Sequence, residues 1–103
     1  MKKQKFTVIT TITARECSQK ELIKQAVKLI EPTRAEMGCI GYNLFRNRDE
    51  TAGLVEIIHF EDENAHQYHK FSTHLSKFFE QTKNCGLVYN ERRLDEHNGS
   101  NKR

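Results

Sequence analysis

The chain has 103 residues, 36% apolar and 30% charged, with 17 basic against 14 acidic side chains and a formal charge of +3. That length fits one domain, and an apolar share below the roughly 45–50% of globular chains implies a thin core that favours a partner surface. The basic excess gathers in Lys2, Lys3, Lys5, Lys102 and Arg103, and the remaining charge is mixed in sign, so no basic stripe for nucleic acid is formed.

Met1-Lys2-Lys3 resembles the start of a signal peptide, but the run from Phe6 to Ile12 is too short and threonine-rich for one and suits a strand. Nothing approaches the length of a membrane span. Cys17, Cys39 and Cys85 are odd in number and lack metal-type spacing, which reads as reduced thiols in a cytoplasmic protein.

The first strand is expected over Lys5 to Thr13, with Phe6, Val8, Thr10 and Ile12 on one face and Thr7, Ile9 and Thr11 on the other. Ser18 followed by Glu21 forms a capping box for a helix whose stripe is Leu22, Ala26, Leu29 and Thr33. Pro32 kinks or shortens that helix, and Gly38 stops it. A second strand runs from Cys39 to about Arg48, with Ile40, Tyr42, Leu44 and Arg46 alternating against Asn43 and Phe45. After a polar turn, Gly53 to Phe60 forms the third strand and completes a hairpin. Glu61 or Asp62 opens a helix to about Lys70, Ser72 or Thr73 caps another carrying Leu75, Phe78 and Phe79, and Gly86 ends it. Leu87 to Leu94 is the last strand, giving a domain over 1–94 and a polar tail, expected to be disordered, over 95–103.

The order β-α-β-β-α-β specifies a ferredoxin-like α+β fold, a four-stranded antiparallel sheet with helices on one side. Ile9, Phe45, Val55 and Ile57 then lie on the uncovered face, about 400 Å² by strand spacing and length. Covering that area is worth up to about 10 kcal/mol, so a sheet-to-sheet homodimer is expected.

Two stretches carry a resemblance. Pro32-Thr33-Arg34-Ala35-Glu36-Met37-Gly38-Cys39-Ile40-Gly41-Tyr42 contains a Glu-x-Gly-Cys sequence followed by Tyr, and Phe60-Glu61-Asp62-Glu63-Asn64-Ala65 precedes the pair His69 and His74. Together, over about residues 5–94, they resemble the antibiotic biosynthesis monooxygenase (ABM) domain family. The resemblance implies a dimeric α+β barrel with a pocket between sheet and helices in each protomer, and activities that include oxygenation of quinol-like or polyketide aromatics without metal or flavin. It also marks departures. The third-strand position where many members carry Glu is Ile58, with Glu56 one step earlier on the same face. Thr73 replaces a proline, Phe60 stands where others have Trp, and the chain has no Trp. The positions that haem-degrading relatives give to Trp and an axial His hold His69 and Phe79, which argues against haem breakdown.

His69 is the first candidate catalytic residue: a neutral imidazole takes a proton from a phenol or enol, and the resulting anion can reduce O2 without a cofactor. Its alternative is a structural hydrogen bond in the 70–74 turn. His74 and Tyr42 are the orienting groups, each with a structural alternative, and Phe60, Ile58 and Phe78 are apolar walls of the substrate pocket. Glu56 is a base or, preferentially, a cross-strand partner of Arg93. His66 and His69 share a helical face, but no acid or cysteine is spaced to complete a metal site and His66 is expected to face solvent, so no metal and no cofactor are expected. Cys39 reads as a small hydrophobe. The function so read is a cofactor-independent monooxygenase of a small quinol-like or enolic molecule. The alternatives are a non-catalytic binding or sensing domain, which the absent Trp and third-strand Glu favour, and a proton-transfer isomerase using the same pocket.

Overall fold

A computed structural model describes residues 4–49 and 53–95. The chain runs β1 (Phe6–Ala14), α1 (Gln19–Ala26), a 3₁₀ turn (Val27–Leu29), α2 (Ile30–Arg34), β2 (Cys39–Arg46), β3 (Gly53–Phe60), α3 (Glu63–Lys70), α4 (Thr73–Gln81) and β4 (Leu87–Asp95). The strands form one antiparallel sheet in the order β2-β3-β1-β4, the ferredoxin-like α+β arrangement expected from the element order. The last strand extends through Asp95, one residue past its expected end, and 96–103 lie outside the described residues.

The helix starts follow the local chemistry. Ser18 Oγ accepts from Glu21 N at 3.1 Å, Asp62 Oδ1 from Ala65 N at 3.0 Å, and Ser72 Oγ from Leu75 N at 3.3 Å. The capping box is made from one side: the Glu21 carboxylate turns to Gln25 Nε2 at 3.4 Å. Pro32 acts upstream of itself. Having no N–H for Lys28 O and crowding that carbonyl, it leaves Val27–Leu29 in a 3₁₀ turn and splits the expected helix into α1 and α2. Gly38 ends the segment at φ +87°, a conformation only glycine adopts without strain.

Two corrections to the sequence reading arise here. A register shift between Cys39 and Gly41 moves Ile40 out of line with Tyr42, so Cys39 faces Phe60 and Ile40 is exposed. Cys17 and Cys85, expected as reduced thiols, are joined in a disulfide with Cα atoms 4.8 Å apart across a sequence separation of 68; Cys39 is free. The pairing escaped the sequence because the β1–α1 loop and the entry to β4 meet only after the sheet forms, where Arg15 N and Glu16 N both bond Cys85 O.

On the helix side the core divides in two. Ile12, Leu22, Leu29, Leu54, Leu75 and Phe78 form one cluster, and Phe6, Val8, Tyr42, Ile58 and Phe60 form the other. Between them the pairing registers set a polar row across β3, β1 and β4: Glu56 opposite Thr10, and Thr10 opposite Glu91. Glu56 and Thr10 are buried, which is unusual for polar side chains and costly unless they are hydrogen-bonded. Among the described residues no helix covers the opposite sheet face, and Phe45, Val88 and Leu94 are exposed on it.

Candidate active site

Glu36 lies in the turn between α2 and β2, held by Glu36 N to Thr33 O at 3.1 Å and Cys39 N to Glu36 O at 3.1 Å. Two residues on, Gly38 receives the start of α3. Its carbonyl accepts from Glu61 N at 2.8 Å, and a Cβ placed on it would meet the Ala65 methyl at 2.5 Å. Because residues i and i+4 share a helix face, fixing Ala65 against Gly38 carries His69 over Glu36. The corner after α3 then brings back His74: Ser72 donates to His69 O through both Oγ, at 2.8 Å, and N, at 3.1 Å.

The three side chains meet on one carboxylate. Glu36 Oε2 lies 2.9 Å from His69 Nδ1 and 2.5 Å from His74 Nε2. The Glu36 and His69 side chains are only 3% and 5% exposed, and His74 is 21% exposed. An ionised carboxylate only accepts, so His69 Nδ1 is the donor, and in the neutral imidazole Nε2 then carries the lone pair. That Nε2 is buried and has no hydrogen-bond partner. His69 lines a cavity of about 180 Å³ floored by Val8, Thr10 and Ile58 and bordered by Leu75, Phe79, Tyr89 and Glu91.

A second buried proton pair stands on the same side of the sheet. Tyr42 Oη donates to Glu56 Oε2 at 2.6 Å, while Glu56 Oε1 is buried without a partner. Burial pushes the Glu56 carboxyl above its ordinary range, offset in part by the Tyr42 hydrogen bond. Burial, and then Glu56, hold the Tyr42 phenol far above its usual range; Tyr89 is raised by the same two causes. Cys39 is pushed up by burial and then by Glu36, so it is not an activated thiolate.

Of the residues singled out in the sequence, His69 and Ile58 line the cavity. Phe60 is fully buried and packs its ring 5.8 Å from that of His69. Tyr42 is buried with its hydroxyl committed to Glu56. His74 and Phe78 border a different space, a groove of about 440 Å³ that also touches Lys28, Pro32 and Lys77. Three expectations are overturned. His66 does not face solvent: it is 6% exposed, with Nε2 at 2.8 Å from Glu91 Oε2 on β4 and its ring against Phe6 and Phe60. Glu56 does not pair with Arg93, which lies over Phe6 and bonds Glu63 Oε1 at 2.6 Å. The statement that no acid is placed to join the histidines also fails, since Glu36 does so from 33 residues away. Glu36 had no role in the sequence reading although it opens the Glu-x-Gly-Cys signature. A carboxylate two residues before a helix-stopping glycine, followed by a strand, was the available signal.

The family model for the antibiotic biosynthesis monooxygenase matches residues 5–81. Among solved structures, a protein of Pseudomonas aeruginosa superposes with a TM-score of 0.82 at 26% identity, covering 92% of this chain and 96% of that one. A protein of Mycobacterium tuberculosis gives 0.81 at 23% identity over 94% of this chain and 99% of the other. SnoaB, a cofactor-independent oxygenase from Streptomyces nogalater, gives 0.81 at 12% identity over 96% and 99%. A search among curated protein sequences finds no match.

Proposed function

Because the chain belongs to the antibiotic biosynthesis monooxygenase family, we propose that it is a cofactor-independent monooxygenase of a small, electron-rich quinol-like or enolic molecule, with His69 as general base. The supporting observation is the Glu36–His69 contact, which leaves the buried Nε2 lone pair in a residue that lines the cavity. His69 Nε2 takes the substrate's acidic proton, and the resulting anion donates an electron to O2. Overall, an activated methylene carbon loses both hydrogens and becomes a carbonyl. One atom of O2 forms that carbonyl, the other leaves as water with the two hydrogens, and the substrate supplies all four electrons. Cofactor independence is carried over from the fold relative SnoaB.

The cavity of about 180 Å³ is smaller than the roughly 300–1,000 Å³ of drug-sized pockets, which suits a compact ring system. His74 acts through Glu36, and Tyr42 acts through Glu56 as a buried donor near the site. A second copy covers the outer sheet face over Phe45, Val88 and Leu94, in keeping with the family.

The test is oxygen uptake with a panel of reduced quinones and enolic aromatics. Wild-type protein consumes O2 with at least one of them, and His69→Ala with an intact circular dichroism spectrum does not. Isotope exchange at the substrate carbon without O2 uptake would identify the isomerase reading instead. Ligand-dependent thermal stabilisation without turnover would identify the binding domain.

A further inference from the structure

The Glu36 cluster is also a donor set for metal. Its three ligand atoms, a Glu36 carboxylate oxygen, a His69 nitrogen and a His74 nitrogen, all lie within 4.8 Å of one another. They come from three segments: the turn before β2, the last turn of α3 and the first turn of α4. The Gly38–Ala65 contact and the Ser72 corner fix these segments to each other. Two imidazoles and one carboxylate with remaining positions open is the donor pattern of first-row divalent cations. Bonds of about 2.0–2.1 Å at tetrahedral angles separate ligand atoms by roughly 3.3 Å. The nitrogens now lie 2.9 Å and 2.5 Å from the shared oxygen and within 4.8 Å of each other, so changes in separation of up to about 1.5 Å would admit an ion.

A cation on His69 Nδ1 requires the ring proton to move to Nε2, which is buried with no hydrogen-bond partner among the described residues, so the exchange leaves an unsatisfied N–H and counts as a cost of occupation. His74, the most exposed of the three, opens the site to a groove of about 610 Å³ lined by Asn64, Gln67, Tyr68 and Phe71, while Lys28 and Lys77 line the other groove that it borders.

We infer that Glu36, His69 and His74 bind one first-row divalent cation of the zinc class. Under the base reading above, on which this consequence alone rests, occupation is inhibitory: the proton on Nε2 removes the lone pair that would accept the substrate's proton.

The test uses the full chain, treated with chelator and dialysed, and titrated with Co2+ in the absence of substrate. One Co2+ per chain should bind with the intense visible d–d absorption of four- or five-coordination, and Zn2+ should displace it. Glu36→Gln and His74→Ala should each weaken binding at least about 100-fold, since even outer-shell partners of a metal are worth 10–100-fold. His59→Ala, which removes an exposed imidazole, should leave it unchanged. Absence of the absorption band from wild-type protein overturns the inference whatever the variants do, and so does undiminished binding in both folded variants. Because no substrate is present, failure to bind cation leaves the base reading standing, and failure of oxygen uptake by cation-free protein leaves the cation site standing.

Discussion

The Glu36 carboxylate accepts a hydrogen bond from His69 Nδ1 at 2.9 Å inside the protein, and that contact decides which ring nitrogen of His69 is free. A neutral imidazole has one donor and one acceptor nitrogen. With Nδ1 committed, Nε2 is the acceptor, in a residue lining the cavity. His74 adds a second N–H to the same oxygen, which fixes the carboxylate in place.

Glu36→Gln removes the charge while keeping the shape. Oxygen uptake should fall by about 10²-fold or more, and His69→Ala should cost about 10²–10⁴-fold, the usual worth of a positioned base. Nitrogen-15 NMR of His69 separates positioning from a merely structural role. Wild-type protein should show the Nδ1–H tautomer and Glu36→Gln a mixture; an Nε2–H tautomer in wild-type protein would contradict the assignment.

Glu56 should make the protein less stable as pH rises. Its carboxyl is raised in the folded state by burial, so the folded form holds the proton more tightly than the unfolded form. The stability this provides is fully present below the unfolded glutamate value, about pH 4.3, and is lost as pH climbs through the higher folded value. Glu56→Gln keeps an acceptor for Tyr42 and has no charge to bury. Its melting temperature relative to wild type should therefore increase from acid toward neutral pH. A difference that stays flat with pH would show that Glu56 is not raised.

Gly38→Ala should destabilise the protein by about 1–3 kcal/mol, through positive φ and overpacking against Ala65. Since the Gly38–Ala65 contact also seats α3, the variant should lose activity at temperatures where it remains folded. Chemical denaturation and oxygen uptake on the same sample check both effects.

Thiol titration of unreduced, denatured protein should find one free cysteine per chain, Cys39, and three after reduction. A cross-link over a separation of 68 residues is worth about 4 kcal/mol in the chain-entropy account, so reduction should lower the melting temperature by up to roughly 15–30 °C. Three thiols before reduction would show that the bond is absent.

The element order, the helix cap at Ser18, the other two caps to within one residue, the stop at Gly38 and the buried faces of β1 and β3 were legible because each depends on residues close in sequence. His69 also stood out, because a histidine in the signature stretch carries its chemistry with it. What the sequence did not disclose involves partners brought together by the sheet. Cys17 meets Cys85, His66 meets Glu91, Tyr42 meets Glu56 and Glu36 meets both His69 and His74. A residue's type and local pattern fix its secondary structure and the face it presents. Whether its polar atoms are buried, and against what, depends on strand register and helix packing across the whole chain. Thus the amino-acid order alone determined an α+β frame of this family and a histidine worth testing. Only the folded chain decided that a distant glutamate sets that histidine's tautomer, because a hydrogen bond acts over about three ångströms of space, whatever the separation along the chain.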